Sequence, residues 1–289
     1  MYFDFKSRIA VSVVSISVAL TLVIIGFTQG LHTPTAPYFI PLSQRVNNYF
    51  SLGILIILLS PAIMEYNNSR IRRGIDIYTP RLLKDLTEAV KSGVPLFRAL
   101  EEASVRDYGP ISKPLESAMV KFRLTLDLNE SLRWLGNKLD RPSFKRMCII
   151  LIGANKSGGD IVDILNTSTH MLTNLAEYRE ERYSQMKPYT FIVYLGTIIF
   201  IIISWLILVR FLSPIAVSTT DPVIGQSNVF SNILDVNFYK SILFWAAIFE
   251  AIFGGLVAGK ITEGRLNSGL IHSVILVSLT VIFFNLFTV

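Results

Sequence analysis

Long apolar stretches alternate with amphipathic stretches along this chain. Five stretches hold few or no charged residues and approach the ~20 residues that cross a bilayer as a helix. They are Ile9–Phe27, Val46–Met64, Tyr189–Val209, Tyr239–Ala258 and Leu270–Phe287. The first follows Lys6 and Arg8, as a signal-peptide core does, but its length and the lack of a clean cleavage site favour a retained anchor. The pattern predicts five transmembrane helices.

Between the second and third stretches, residues 65–188 have apolar positions at helical spacing and no strand signal. Thr79-Pro80 predicts the start of one helix, and Pro188 predicts the end of another where the membrane begins. Tyr108-Gly109-Pro110 predicts a turn. Asp127, with Glu130 three residues later, has the form of a capping box with Asp in the Ser/Thr place. We expect six helices here.

A repeat of 32–33 residues organises these helices. The turn of each unit lies in one of three equivalent segments: Lys91-Ser92-Gly93-Val94-Pro95-Leu96, Arg123-Leu124-Thr125-Leu126-Asp127-Leu128 and Lys156-Ser157-Gly158-Gly159-Asp160-Ile161. Each unit is a helix with a basic residue in its last turn, a tight turn, and a second helix that starts at Pro or Asp. Three such helical hairpins predict a six-helix bundle. A tetratricopeptide array has a similar period, but its required Trp, Gly-Tyr and Ala-Phe positions do not align.

Composition narrows the class of protein. Of the 289 residues, 51% are apolar and 17% are charged, whereas a soluble domain carries roughly 25% charged residues. This excludes a disordered chain, a collagen-like chain and a simple soluble globule. Cys148 is the single cysteine, which excludes an intrachain disulfide and a cysteine-based zinc site. The three histidines fall on different sides or depths of the membrane, so we expect no metal cluster.

The net charge is +6, and its distribution predicts an orientation. Residues 65–188 carry 20 of the 27 Lys and Arg residues and 16 acidic residues, whereas the 211–238 loop carries no basic residue. By the positive-inside rule, the N-terminus, residues 65–188 and residues 259–268 are cytoplasmic and the C-terminus is outside. A basic cytoplasmic surface also favours contact with anionic membrane lipids.

The motifs within residues 78–175 together resemble the type II secretion F-domain family. Its members are the inner-membrane platform proteins of type II secretion, type IV pili, Tad pili and the archaellum. The shared motifs are Leu82-Leu83-x-x-Leu86, Lys91-Ser92-Gly93-Val94-Pro95-Leu96 followed by Ala99-Leu100, Tyr108-Gly109-Pro110, and Lys156-Ser157-Gly158-Gly159-Asp160. Each motif is weak alone, but their order and spacing between membrane stretches are specific. Lys260-x-x-x-Gly264 and Gly269-Leu270 are similar to the archaellum and Tad branch.

The resemblance implies an all-α polytopic membrane protein with a cytoplasmic bundle. Residues 1–64 would hold two transmembrane helices, 65–188 the F-type domain, and 189–289 three further transmembrane helices. The implied role is to couple a hexameric cytoplasmic secretion ATPase to the insertion of pilin or archaellin-like subunits into a filament. No enzyme activity, cofactor or nucleic acid is implied. Many relatives carry two such domains and this chain carries one, which suggests pairing with a second copy or a paralogue.

Five basic residues are candidates for an ATPase-facing surface. They are Arg72, Arg73, Lys91, Arg123 and Lys156. The first two follow a membrane stretch, where positive-inside anchoring also explains them. The other three end equivalent helices, where a cation suits the negative end of the helix dipole. If the three hairpin turns share one end of the bundle, these three cations would form a basic cluster there.

Glu250 lies inside the fourth membrane stretch, where an ionisable group costs roughly 2.5–3.5 kcal/mol. It is a candidate contact for a pilin amine or a polar partner helix, or else a structural glutamate paired within the chain. Gly255 and Gly259 have the G-x-x-x-G spacing that allows close helix packing. That packing is either internal or across a dimer or pilin contact.

No catalytic constellation is visible. In Lys156-Ser157-Gly158-Gly159 the lysine precedes the glycines on a helix, whereas a phosphate loop has G-x-x-x-x-G-K-[ST] after a strand. The main alternative is a membrane transporter or channel with a cytoplasmic regulatory bundle. A transporter shows inverted repeats and polar residues in several spans, and we expect only Glu250 to meet that demand. A membrane-anchored adaptor with no moving role also stays open.

Overall fold

The computed structural model describes residues 5–28, 41, 43–139, 141–157, 161–212 and 236–287, and all its regular elements are helical. The helices are α1 Phe5–Thr28, α2 Gln44–Lys91, α3 Leu96–Val105, α4 Ser112–Thr125, α5 Leu128–Leu139, α6 Pro142–Ser157, α7 Ile161–Leu206, α8 Val236–Glu263 and α9 Leu270–Phe287. A π-helical segment, Ile207–Leu212, extends α7. Short 3₁₀ turns occur at Gly109–Ile111 and Asn267–Gly269. The all-α prediction is confirmed for the described residues.

The chain divides into two compact units. The bundle unit comprises Asn67–Gln185, and the apolar unit comprises Phe3–Tyr66 with Met186–Val289. All six helical segments of the bundle unit contribute to one apolar core. Core members that are at most 1% exposed include Leu82, Leu83, Leu86, Leu100, Leu115, Leu132, Phe144, Leu151 and Leu165.

Both predicted helix boundaries at proline are wrong. α2 passes through Thr79-Pro80, and the Thr79 hydroxyl donates to the backbone carbonyl of Ile75 at 2.6 Å within the same helix. An internal proline costs about 3 kcal/mol. The three leucines that follow in α2 are at most 1% exposed, and each such burial contributes about 1.5–3 kcal/mol. The burial of these leucines therefore outweighs the cost of Pro80 inside the helix. α7 likewise continues through Pro188.

The hairpin turns follow the predicted chemistry with two changes. Gly93 has φ +87°, which confirms a left-handed residue after α2. In the second hairpin Leu126 takes that role with φ +56°, so the repeat register is 33 residues. The Asp127 carboxylate accepts the backbone N–H of Glu130 at 3.1 Å, which confirms the cap of α5. The reciprocal bond of a capping box is replaced: the Asp127 backbone N–H donates to the Thr125 hydroxyl at 3.4 Å, and the Glu130 carboxylate pairs with Lys121 at 2.9 Å.

In the apolar unit, four helices of the described chain are long and apolar enough to cross a membrane. They are α2, α7 with its π-helical extension, α8, and α9 with the turn before it. The apolar part of α1, Ala10–Gly26, is shorter. Four of the five predicted spans are therefore supported, and the fifth stays a prediction. The core of this unit includes Phe244 and Phe284, whose ring centroids are 5.4 Å apart.

We expected only Glu250 to meet the transporter criterion of polar residues in several spans. That expectation is wrong. Interhelical hydrogen bonds join Asn47 to Ser241 (3.1 Å), Trp245 to Asn47 (3.0 Å), Asn48 to Asn285 (2.6 Å), Thr190 to Thr262 (2.5 Å) and Tyr194 to His272 (2.9 Å). In each bond a side chain on one helix meets a side chain on another. Such bonds satisfy polar groups away from water and fix the relative rotation of the helices.

Candidate functional site

The ends of the six helical segments meet at one end of the bundle unit, here called the hairpin pole. It comprises the last turns of α2, α4 and α6 and the first turns of α3, α5 and α7. Side-chain contacts pair Lys91 with Asn166 (2.8 Å), Phe97 with Phe122 (6.3 Å between ring centroids) and Asn155 with Asn129 (3.4 Å). Each contact joins the end of one helix to the beginning of another, so the described helix ends of the three hairpins lie at the same end of the bundle unit.

The hairpin pole brings together Lys91, Arg123 and Lys156, but their charges are differently balanced. The Lys91 ammonium donates to the amide oxygen of Asn166 and remains exposed. Arg123 Nε lies 3.1 Å from the Glu101 carboxylate, and Arg123 is 67% exposed at its side chain. Lys156 is exposed. The last turns of α2, α4 and α6, which carry these three cations, lie at the same end of the bundle unit, and the Glu101 carboxylate pairs with Arg123. The basic cluster itself stays a prediction.

Arg72 and Arg73 lie far along α2 from the hairpin pole. The Arg73 guanidinium is 2.8 Å from the Glu180 carboxylate and stacks over the Tyr183 ring, 4.4 Å from its centroid. Arg72 is half-buried. These two residues and the three at the hairpin pole do not form one surface patch. A cation held between a carboxylate and an aromatic ring supports packing of α2 on α7.

The predicted turn at Tyr108-Gly109-Pro110 packs directly on α2. Gly109 has φ +56°, and a Cβ there would lie 2.7 Å from Cε2 of Tyr78. A Cβ on Gly74 would lie 2.8 Å from Cγ of Pro110. Two glycines on opposite sides of the contact therefore allow the turn and the helix to approach this closely.

Tyr108 anchors the same turn from inside. Its side chain is 1% exposed, and its hydroxyl donates to the Asp85 carboxylate at 2.6 Å. Burial and the hydrogen bond to Asp85 raise the pKa of Tyr108 to about 12. The turn is thus held by a hydrogen bond to a charged acceptor and by close packing.

The other motif residues are structural where they are described. Pro95 precedes α3, whose Leu96 and Leu100 are at most 5% exposed in the core. The Ser92 hydroxyl donates to the carbonyl of Glu88 at 3.0 Å, within the last turn of α2. The predicted motif residues Gly158, Gly159 and Asp160 lie outside the described residues.

Sequence reasoning missed Asp76, which ties three helices together. Its carboxylate accepts hydrogen bonds from Arg141 Nη2 and from the Ser143 hydroxyl at the start of α6. Arg179 Nη1 of α7 is 3.7 Å from the same carboxylate. These groups are 65 to 103 residues away from Asp76 in the chain, so no local pattern connects them. The only sequence feature that could have pointed to this site is the acidic residue itself, which lies three places before Thr79.

Glu250 on α8 faces α7. Its Oε1 accepts the Thr197 hydroxyl at 3.0 Å, while its Oε2 is buried with no hydrogen-bond partner in the described part of the chain. Thr197 is fully buried. One carboxylate oxygen of Glu250 is thus paired within the chain, as the structural alternative expects, and the other is not.

Gly255 and Gly259 face the beginning of α9. A Cβ on Gly255 would overlap the backbone N of Ser273, and one on Gly259 would overlap the backbone N of Gly269. The Ser273 hydroxyl also donates to the carbonyl of Ile252 at 2.8 Å. The G-x-x-x-G spacing therefore serves close packing of α8 on α9 within the chain.

Comparison with known proteins assigns the domain. The family model for the type II secretion system protein F matches residues 82–209, from Leu82 in α2 to Val209 after α7. An uncharacterized protein of Methanocaldococcus jannaschii is 29% identical over 214 residues, 73% of this chain and 34% of that protein. The chain thus spans about a third of the length of this curated relative. No solved structure matches the chain. Residues 82–209 are therefore a type II secretion system protein F domain.

Proposed function

We propose that this chain is the membrane platform of a type IV pilus-like assembly machine, which is a pilus, an archaellum or a type II secretion system. The protein F domain at residues 82–209, next to helices apolar enough to cross a membrane, carries this proposal. The platform would couple a hexameric secretion ATPase to the insertion of pilin or archaellin-like subunits. It would do so by rigid-body movement, without bond chemistry.

The hairpin pole is the proposed ATPase-facing surface. Three neighbouring helix ends present Lys91, Arg123 and Lys156. Charges on an exposed rim mainly steer association and exclude wrong partners. Arg72 and Arg73 belong to the proposal as a second contact region, with Arg73 already engaged by Glu180.

Glu250 is the proposed contact within the membrane. Its unpartnered Oε2 is suited to a hydrogen-bond donor or a cation from a pilin subunit or partner helix. Gly255 and Gly259 support this contact by holding α8 against α9. We further propose five spans, with residues 65–188 as a cytoplasmic domain between spans at 1–64 and 189–289, the N-terminus inside and the C-terminus outside. A second copy or a paralogue completes the platform.

Cross-linking mass spectrometry on the tagged chain, captured from its native membranes, tests the proposal. We expect lysine cross-links from Lys91 and Lys156 to a secretion-type ATPase. Lys145 is an exposed lysine near the other end of α6 and serves as the matched control. Capture of neither an ATPase nor a pilin would refute the platform role.

One observation favours the transporter alternative: polar side chains occur in several apolar helices. These side chains bond to one another, however, as close helix packing requires. Solute flux through the reconstituted chain distinguishes the two functions. Flux above that of empty vesicles, together with no effect of deletion on filaments, would favour the transporter.

A further inference from the structure

Leu126 is a strained residue whose side chain contributes almost nothing to the fold. It has φ +56° and ψ 12°, the left-handed conformation that costs a non-glycine residue steric strain. The equivalent position in the first hairpin is Gly93, which adopts this conformation without that cost. The Leu126 side chain is 80% exposed, so burial within the chain does not offset the strain.

Leu126 is part of an exposed apolar patch at the hairpin pole. Leu124, two residues earlier, is 81% exposed, and Phe97 at the start of α3 is 43% exposed. The Phe97 ring contacts the Phe122 ring on α4. We name Phe97, Leu124 and Leu126 the leucine knob, because the two leucines are the most exposed of the three residues. Large exposed apolar side chains with charged residues around them are typical of interaction sites.

The charges around the leucine knob define the partner's chemistry. Lys121 is neutralised by Glu130 at 2.9 Å. Arg98 and Arg123 share one carboxylate, that of Glu101, at 3.8 and 3.1 Å. This trio carries one surplus positive charge beside the leucines. A complementary surface is an apolar pocket with a carboxylate on its rim.

We propose that the leucine knob is the apolar anchor by which the hairpin pole inserts into a pocket of the ATPase, with an acidic group of that pocket beside Arg98 and Arg123. The inference rests on the proposed function and deepens it, because apolar burial rather than the basic cluster holds the complex together. Interfaces commonly depend on a few central anchors surrounded by weaker polar contacts. The cations then set the association rate, and the leucines set the dissociation rate.

Binding of the full chain in nanodiscs to the purified secretion-type ATPase tests the inference. The informative variant is Leu126→Gly combined with Leu124→Ala, because glycine relieves the backbone strain and preserves the fold. Ile149→Ala is the matched control, since Ile149 is 60% exposed on α6. We expect the leucine variant to bind at least about tenfold more weakly with an unchanged or higher unfolding temperature, and the control to bind as the wild type does.

Salt dependence separates the two modes of docking. We expect the dissociation rate to change little between low and high salt, because apolar burial is not screened, and the association rate to fall at high salt, because the cations are screened. A leucine variant that binds as tightly as the wild type overturns the inference while the platform function stands. Failure of the wild-type chain to bind the ATPase overturns the platform function together with this inference. A photo-cross-linker at Leu126 that captures only lipid or a second copy of the chain also overturns the inference.

Discussion

Tyr108→Phe removes one hydroxyl from the best-defined polar contact of the bundle unit. The hydroxyl donates to the Asp85 carboxylate at 2.6 Å, and the Tyr108 side chain is 1% exposed. A hydrogen bond to a charged group contributes about 1.5–3 kcal/mol. The variant keeps the ring and its packing, so the loss of stability is assigned to the hydrogen bond. If the free energy of opening the bundle unit falls by this amount, the fraction of molecules with an open bundle rises roughly 10- to 150-fold.

Cys148 supplies the readout in the full chain. It is the only cysteine, it is 2% exposed, and it lies in the same core as Tyr108. Burial raises the pKa of its thiol to about 12, so the thiol of the closed bundle is unreactive near neutral pH. Its labelling rate by a maleimide therefore reports the open population. We expect Tyr108→Phe to label roughly 10- to 150-fold faster than the wild type.

Tyr178→Phe is the matched control, because Tyr178 is 66% exposed and its substitution should leave the rate unchanged. A labelling rate for Tyr108→Phe within about twofold of the wild type would refute the reasoning. The bond to Asp85 would then contribute nothing to the stability of the bundle unit.

The same tyrosine predicts a pH dependence. Its pKa is about 12 when folded, against 10.0 for a free tyrosine. Between these values the unfolded chain has lost the proton and the folded chain keeps it, so stability falls as pH rises. This contribution is complete below pH 10 and is lost as pH passes 12. The wild-type unfolding temperature should therefore fall more steeply over this range than that of Tyr108→Phe, and parallel curves would contradict the assignment.

Three further substitutions test close packing and the half-buried charge network around Asp76. Gly109→Ala combines positive φ with a clash against α2 and should destabilise the bundle unit by about 1–3 kcal/mol, seen as faster Cys148 labelling. Gly255→Ala should lower the thermal stability of the detergent-solubilised chain, whereas Gly254→Ala meets a side chain at 3.3 Å and should cost less; equal effects would argue against the α8–α9 contact. Asp76→Asn leaves Arg141 without its carboxylate and should cost about 3–5 kcal/mol, and an unchanged unfolding temperature would show that the network is not stabilising.

The local sequence determined the helical class of the described chain and the turns of its first two hairpins. The left-handed residue at Gly93 and the cap at Asp127 each depend on a few neighbouring residues, so spacing alone identified them. The apolar stretches likewise identified an apolar segment within each of the four long helices, because about 20 apolar residues are needed to cross a bilayer. The order of the hairpin motifs within residues 78–175 was enough to predict a protein F domain, which the family model matches at residues 82–209.

Tertiary packing decided what local signals could not. Pro80 does not end α2, because burial of the leucines beyond it outweighs the cost of an internal proline. The Asp76–Arg141 pair, and the carboxylate that partly neutralises Arg123, depend on helices that meet only in the folded bundle. A cation in a sequence shows only that charge is present. Whether it remains available to a partner depends on which groups the fold places within a few ångströms, since Coulomb energy falls with distance and with solvent screening.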